Sequence, residues 1–154
     1  MAHQEQQWAQ AEQFIADYDL NNGTRNLHML DMFSVTGMGR DAFVNEGYKA
    51  VATDILSHPE HDITSATGFY ALLTLLLRLV QGGVVLADPP CSMWIFLSSS
   101  YHGRTKASPQ GDTSKFKVRL SLQIARNFAT MLRLVVGRRG LKVVIEQPHS
   151  SVMW

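Results

Sequence analysis

Apolar residues recur along this chain with two alternating periods. Between Gln4 and Tyr18, the residues Trp8, Ala11, Ile15 and Tyr18 step by three and four, the spacing of one face of an amphipathic helix. Asn21-Asn22-Gly23 predicts its end as a turn or cap. Leu27–Phe33 reads as a short apolar strand and Ser34–Gly39 as a loop with two glycines. Gly39–Glu46 reads as a helix closed by Gly47. Lys49–Thr53 is a second strand closing on Asp54, and Ser57–Asp62 is a polar loop broken by Pro59. Ala66–Val80 is apolar on most sides, which predicts a buried helix, with Gly82-Gly83 as its stop. Val84–Ala87 is a third strand. Asp88–Asp112 is a loop rich in Ser, Gly and Pro, well beyond the ~12–15 residues of an ordinary connection. Lys115–Val136 is the longest helix, with a buried stripe predicted along Val118, Leu122, Ala125, Ala129, Leu132 and Val136 and a stop at Gly137–Gly140. Leu141–Ile145 is the last strand; it ends at Glu146, and Pro148 breaks the ladder.

Strands separated by helices along the whole chain predict an α/β fold, a Rossmann-like open, mostly parallel sheet of about five strands with flanking helices. One domain is expected over residues 1–154, a helix and turn at 1–23 leading into an α/β core at 24–154. Composition narrows the class. With 45% apolar and 18% charged residues the chain is neither disordered nor collagen-like. A single cysteine, Cys91, excludes an internal disulfide framework and a cysteine-based zinc cluster, and fits a reducing compartment. The densest apolar stretch, Ala71–Val80, is cut by Thr74 and Arg78, and the polar N-terminus has no signal-peptide pattern. The expectation is an intracellular domain with no membrane partner. The net charge of +1 hides an asymmetry: residues 1–100 carry four Lys/Arg against eleven Asp/Glu, residues 101–154 ten against two. Arg119, Arg126 and Arg133 repeat every seven residues along one helix edge, with Lys115, Lys117, Arg138 and Arg139 nearby. That basic half points to an anionic partner such as nucleic acid.

Ligands of parallel sheets sit beyond the carboxyl ends of the strands. Here those ends carry Phe33–Gly39, Asp54, Asp88–Cys91 and Glu146–Pro148. Glycine in the first loop lets a ligand approach the backbone, and the helix it opens favours polar groups. Asp54, ending the next strand, is placed to accept hydrogen bonds from a ribose diol. Together they suggest a nucleoside-containing cofactor. Pro89 and Pro90 stiffen the backbone before Cys91, a placement suited to a nucleophile. Glu146 ends the neighbouring strand, where it can supply a proton or accept a hydrogen bond.

The series Asp31–Gly39, Asp54, Asp62, Asp88–Cys91 and Glu146–Pro148, in this order, resembles the core of the DNA cytosine carbon-5 methyltransferases, which are class I S-adenosylmethionine-dependent enzymes. The resemblance implies that Phe33, Gly37 and Gly39 flank the methionine and adenosyl parts of S-adenosyl-L-methionine. It implies Asp54 on the ribose, Asp62 near the adenine and Pro90 in the same pocket. Cys91 would attack carbon-6 of a cytosine, and Glu146 would hold the ring nitrogen. The Ser92–Asp112 loop lies where the family closes a mobile loop over DNA, and Arg104 and Lys106 are its candidate phosphate contacts, beside Arg119 and Arg126 on the helix. The chain departs from the family's pattern at Val35 and Asp88, where glycine is usual, and at Gln147-Pro148, where Asn-Val is usual. Trp154 comes before the family's later strands and target-recognition region. A missing C-terminal region or a partner is therefore expected over the Leu141–Ile145 edge.

Two other readings stay open. One is a catalytically inactive or truncated methyltransferase-like domain that binds nucleic acid or protein. The other is an amino-group methyltransferase acting on adenine or cytosine, because Asp88-Pro89-Pro90 also resembles the Asp-Pro-Pro-aromatic signature, with Trp94 close by. His58 and His61 flank Pro59 with no cysteine near, so no metal is expected. Ser98–Ser100 with His102 lacks the strand–Ser–helix elbow of a hydrolase.

Overall fold

The computed structural model describes residues 2–21, 23–105, 107–149 and 151. Helix α1 (Ala2–Leu20) leads into β1 (Leu27–Met32), α2 (Met38–Asn45), β2 (Ala50–Thr53) and α3 (Ala66–Leu77). There follow β3 (Leu79–Ala87), α4 (Ser99–His102), α5 (Phe116–Arg139) and β4 (Lys142–Ile145). The strands form one open sheet in the order β2-β1-β3-β4, every neighbour parallel. The sheet is Rossmann-like, with four strands among the described residues where about five were expected from the alternation. The pattern itself marks four strand segments, and each forms a strand; the long stretch between β3 and α5, read as a loop, folds partly into short helical turns.

Right-handed crossovers put α2 on one face of this sheet and α3 and α5 on the other. Helix α1 packs against α3 on that second face. Its predicted stripe is real: Ala11 and Ile15 are fully buried in the cluster that holds Leu30, Leu73, Leu76 and Phe128. Each large apolar side chain buried there contributes about 1.5–3 kcal/mol.

Three boundaries differ from the sequence expectation. Helix α3 ends at Leu77, not Val80, and β3 begins at Leu79 with only Arg78 between them. Gly82-Gly83 lies inside the strand. The β1–β3 register jumps there, from Leu27↔Leu79 to Met29↔Val84, and Gly82 takes φ +74°, so the glycines absorb a bulge instead of stopping a helix. Helix α5 runs through Gly137 to Arg139, and Gly140, at φ +57°, ends it. Its buried stripe is Val118, Ser121, Phe128, Met131, Leu134 and Val135, rotated from the predicted one, and Ala129 is exposed. The bulkier Phe128, Met131 and Leu134 take the interior, and the predicted residues fall on the flank.

The segment between β3 and α5 is not a loose loop. Trp94 and His102 are buried, and Arg104 is 4% exposed with its guanidinium 3.6 Å over the Trp94 ring. Arg104 also donates to the carbonyls of Met93 at 2.9 Å and Pro109 at 2.7 Å, and to the Ser121 hydroxyl at 2.9 Å. Basic residues late in the chain also reach back to acids at its start: Arg138 pairs with Glu12 and Arg139 with Asp19. No helix among the described residues is long and apolar enough to cross a membrane.

Candidate functional site

The chain first leads away from β1 in one direction and then returns past it in the other, so the β1 and β3 ends flank the crevice where such sheets take ligands. The turn after β1 is built on Asp31. This residue is 1% exposed, and its Oδ2 accepts from the Ser34 hydroxyl at 2.9 Å and the Arg40 amide at 3.0 Å. Ser34 Oγ in turn accepts from the Gly37 amide at 3.1 Å. Gly37 takes φ +68°, a left-handed position that glycine adopts without strain. A Cβ at Gly39 would lie 2.6 Å from Leu86 Cδ2 and 2.8 Å from Asp31 Oδ2. Both expected cofactor glycines therefore serve to fold the loop tightly onto the sheet, and neither lines the cavity described next. Phe33 itself sits at φ +62°, a conformation costing a non-glycine residue about 1–2 kcal/mol. Its ring is held edge-on to Phe128, 5.5 Å between centroids.

A cavity of about 400 Å³ opens at this edge, and four residues expected to hold a cofactor, Phe33, Asp54, Asp62 and Pro90, line it. Val35 and Asp88, two of the departures from the family pattern, line it as well. Val35 is 67% exposed, so its side chain forms rim more than floor. Asp54 Oδ1 accepts from the Leu56 amide at 2.8 Å, and Asp62 Oδ1 accepts from the Thr64 amide and hydroxyl at 2.9 and 2.7 Å. In each case the loop holds one carboxylate oxygen, and the other accepts no hydrogen bond among the described residues. Burial, reinforced by the nearby carboxylates of Asp31 and Glu146, raises the Asp88 carboxyl above its ordinary value. Among the described residues no Lys or Arg lines the cavity. Its basic side chain is His61, whose pKa burial lowers, the more so for the neighbouring His58, while Glu60 opposes the shift.

The two expected catalytic residues lie beside this cavity, not on its wall. Cys91 is half-buried in the turn after β3, its carbonyl accepting from the Trp94 amide at 2.7 Å. Glu146 is exposed at the end of β4, its amide bonded to the Ala87 carbonyl at 2.9 Å. Gln147 accounts for its own departure from the family. Its Nε2 donates to the Pro89 carbonyl at 2.6 Å, and its Oε1 accepts from Ser151, so the side chain ties the Pro-Pro-Cys turn to the β4 end.

The expected phosphate contacts separate. Arg104 is corrected outright: it is interior, held by carbonyls and a ring, and presents no charge to a partner. Trp94, covered by that guanidinium, has no free face for a base. Lys106 lies outside the described residues. Arg119 and Arg126 are exposed and line a separate groove between α1, α3 and α5. His102 has both ring nitrogens engaged by backbone, Nε2 with the Ile95 carbonyl and Nδ1 with the Arg104 amide. Among the described residues no group of three or more His, Cys, Asp or Glu is arranged to hold a metal.

Sequence reasoning missed part of the cavity wall: Thr53, His61, Ile63, Leu72 and Ile124. Ile63 and His61 had a signal, since both adjoin Asp62 in the polar loop after β2. Ile124 had none, because it reaches the cavity only through the docking of α5 against the sheet. No protein-family model, curated protein or solved structure matches this chain.

Proposed function

We propose that the chain binds S-adenosyl-L-methionine in the strand-end cavity and is a methyltransferase-like domain related to the DNA cytosine carbon-5 enzymes. One observation carries this reading: Phe33, Asp54, Asp62 and Pro90, from four separate stretches of sequence, line one cavity of ligand size. The chemistry of its walls supports the same cofactor. Three carboxylates with no Lys or Arg among the described lining residues disfavour a pyrophosphate and suit an adenosyl ligand that carries a sulfonium and an ammonium. The free oxygen of Asp54 would accept from the ribose diol, Asp62 would lie toward the adenine, and Phe33 would wall the methionyl side. Bound there, the cofactor supplies an electrophilic methyl group. Cys91 would add its thiolate to carbon-6 of a cytosine, which makes carbon-5 nucleophilic, and Glu146 would hold the ring nitrogen. The base must leave its stack to be reached, and the partner is accordingly a nucleic acid, DNA in the family.

Calorimetry with S-adenosylmethionine tests the cofactor, with saturable heat at micromolar ligand expected. Its absence in folded protein would leave only a methyltransferase-like binding domain. An oligonucleotide carrying 5-fluorocytosine tests the chemistry. With cofactor present it should form a stable adduct through Cys91, because carbon-5 then carries fluorine in place of the proton whose loss would expel the thiolate.

A second reading has its own support. Asp88 and Pro90 line the cavity while Cys91 does not. This favours an amino-group methyltransferase in which Asp88 accepts from the exocyclic amine of adenine or cytosine. It predicts that Cys91→Ser keeps methyl transfer and Asp88→Ala loses it, the reverse of the carbon-5 reading.

A further inference from the structure

A second cavity, of about 710 Å³, lies between α1, the first turn of α3 and the N-terminal part of α5. Both α3 and α5 begin at the carboxyl edge of the sheet, so this groove opens on the same edge as the strand-end cavity. Its charge is of one sign. Arg119 and Arg126 line it, and among the described residues no Asp or Glu does. Several other cations of the C-terminal third are engaged elsewhere, while Lys117 and Lys142 are exposed and line neither cavity. Arg104 is interior, Arg133 lies over the Trp8 ring, and Arg138 and Arg139 pair with acids of α1.

The two groove arginines are set for a ligand in different ways. Nη1 of Arg119 donates to the carbonyls of Thr113 and Ser114, at 2.9 and 2.6 Å, which steadies its guanidinium at one end. Arg126 has no hydrogen-bond or ion-pair partner among the described residues. Next to Arg126, on the same groove wall, is Asn127, 9% exposed. It donates its amide to the Ile63 carbonyl at 2.8 Å, and its Oδ1 has no partner among the described residues. That oxygen is not one of the buried polar atoms left without a partner, so it is reached by solvent and open to a donor. Seven residues apart on α5, the arginines are separated by about 10 Å along the helix axis, more than one phosphate group bridges.

We propose that this groove binds a single-stranded nucleic acid, Arg119 and Arg126 engaging two backbone phosphates and Asn127, beside Arg126, accepting from a base edge. The inference rests on the nucleic-acid partner proposed above and adds where the strand runs; it needs no cofactor. Fluorescence anisotropy of a labelled single-stranded DNA of about 12 nucleotides tests it, read from about 50 to about 200 mM salt. In the Arg119→Gln/Arg126→Gln variant, affinity should fall at least about tenfold, and the slope of log K against log salt should shrink by about 1.4, the value for two single-strand phosphates. The Arg119→Lys/Arg126→Lys variant should keep most of the slope. Both positions are exposed, and an unchanged melting temperature in each variant excludes misfolding as the cause. Equal binding by wild type and the Gln variant overturns the groove and leaves the nucleic-acid partner standing. No binding by wild type overturns both. Displacement of the strand by an equal concentration of inorganic phosphate overturns the two-phosphate assignment, and tighter binding of the matching duplex through the same arginines overturns the single-strand one.

Discussion

The strand-end cavity and the helix groove are opposite in sign yet share a wall. Asp62 and Ile63 line the first, and the next two residues, Thr64 and Ser65, line the second. The cavity brings together Asp54, Asp62 and Asp88, all from the acidic two-thirds of the chain. The groove takes its charge from α5, in the basic remainder. The charge imbalance is therefore not a simple dipolar surface. Part of it cancels between α1 and the end of α5, part is buried with Arg104, and two adjacent recesses carry opposite charge. A turn of four residues can separate such recesses because it is rigidly held. Gln123 and Asn127 of α5 donate to the carbonyls of Thr64 and Ile63, and the Ser65 hydroxyl caps α3 by accepting from the Gly68 amide at 2.9 Å.

Breaking the shared wall should give the largest effect. A Cβ at Gly68 would lie 2.1 Å from the Asp62 carbonyl oxygen, a backbone atom that cannot yield without moving the turn. Gly68→Ala should cost about 2–3 kcal/mol, seen as a melting temperature lower by roughly 4–12 °C. At temperatures where the variant is still folded, it should weaken both adenosyl-ligand and oligonucleotide binding. If only one is lost, the turn is not common to the two sites. Asp54→Asn is the one-sided counterpart. It keeps the shape, halves the accepting capacity toward a diol, and should weaken S-adenosylmethionine binding by about tenfold or more, with oligonucleotide affinity unchanged.

The smallest effect is in pH. His61 has a folded-state pKa below its ordinary value, so the unfolded chain binds its proton more readily. Its stabilising contribution is complete above the unfolded pKa of about 6.5 and is lost as pH falls through the lower folded value. The wild type should lose stability in that window, and His61→Gln should flatten the loss in thermal melts. Protonated His61 would also add positive charge to the acid-lined cavity. Affinity for the cationic adenosyl ligand should therefore decline over the same range, while oligonucleotide binding at the groove should not.

Much of the cavity was legible because its parts are local. A strand end followed by Asp, or by Pro-Pro, places a residue at the sheet edge whatever the rest of the chain does. This is why Phe33, Asp54 and Pro90 could be named from spacing and resemblance, and all three line the cavity. The glycine pair was located but not explained: Gly39 is needed because Leu86 and Asp31 crowd it, which only packing reveals. Arg104 could not be read at all. In sequence it is a basic residue in a Ser- and Gly-rich loop, indistinguishable from a phosphate contact. The fold carries Trp94, Met93, Pro109 and Ser121 to it and turns it into the centre of that segment.

The amino-acid sequence by itself determined the alternation of strand and helix, the parallel sheet, the acids at its carboxyl edge and the surplus of positive charge late in the chain, because each depends on periodicity, turn chemistry or composition over a few neighbouring residues. Tertiary structure decided how many strands pair, which stripe of α5 faces inward, which arginines reach solvent, and that acid and base line two recesses divided by one turn. Those outcomes depend on contacts between residues about sixty positions apart, such as Asn127 with Ile63, where the docking of whole elements sets the geometry and no local pattern records it.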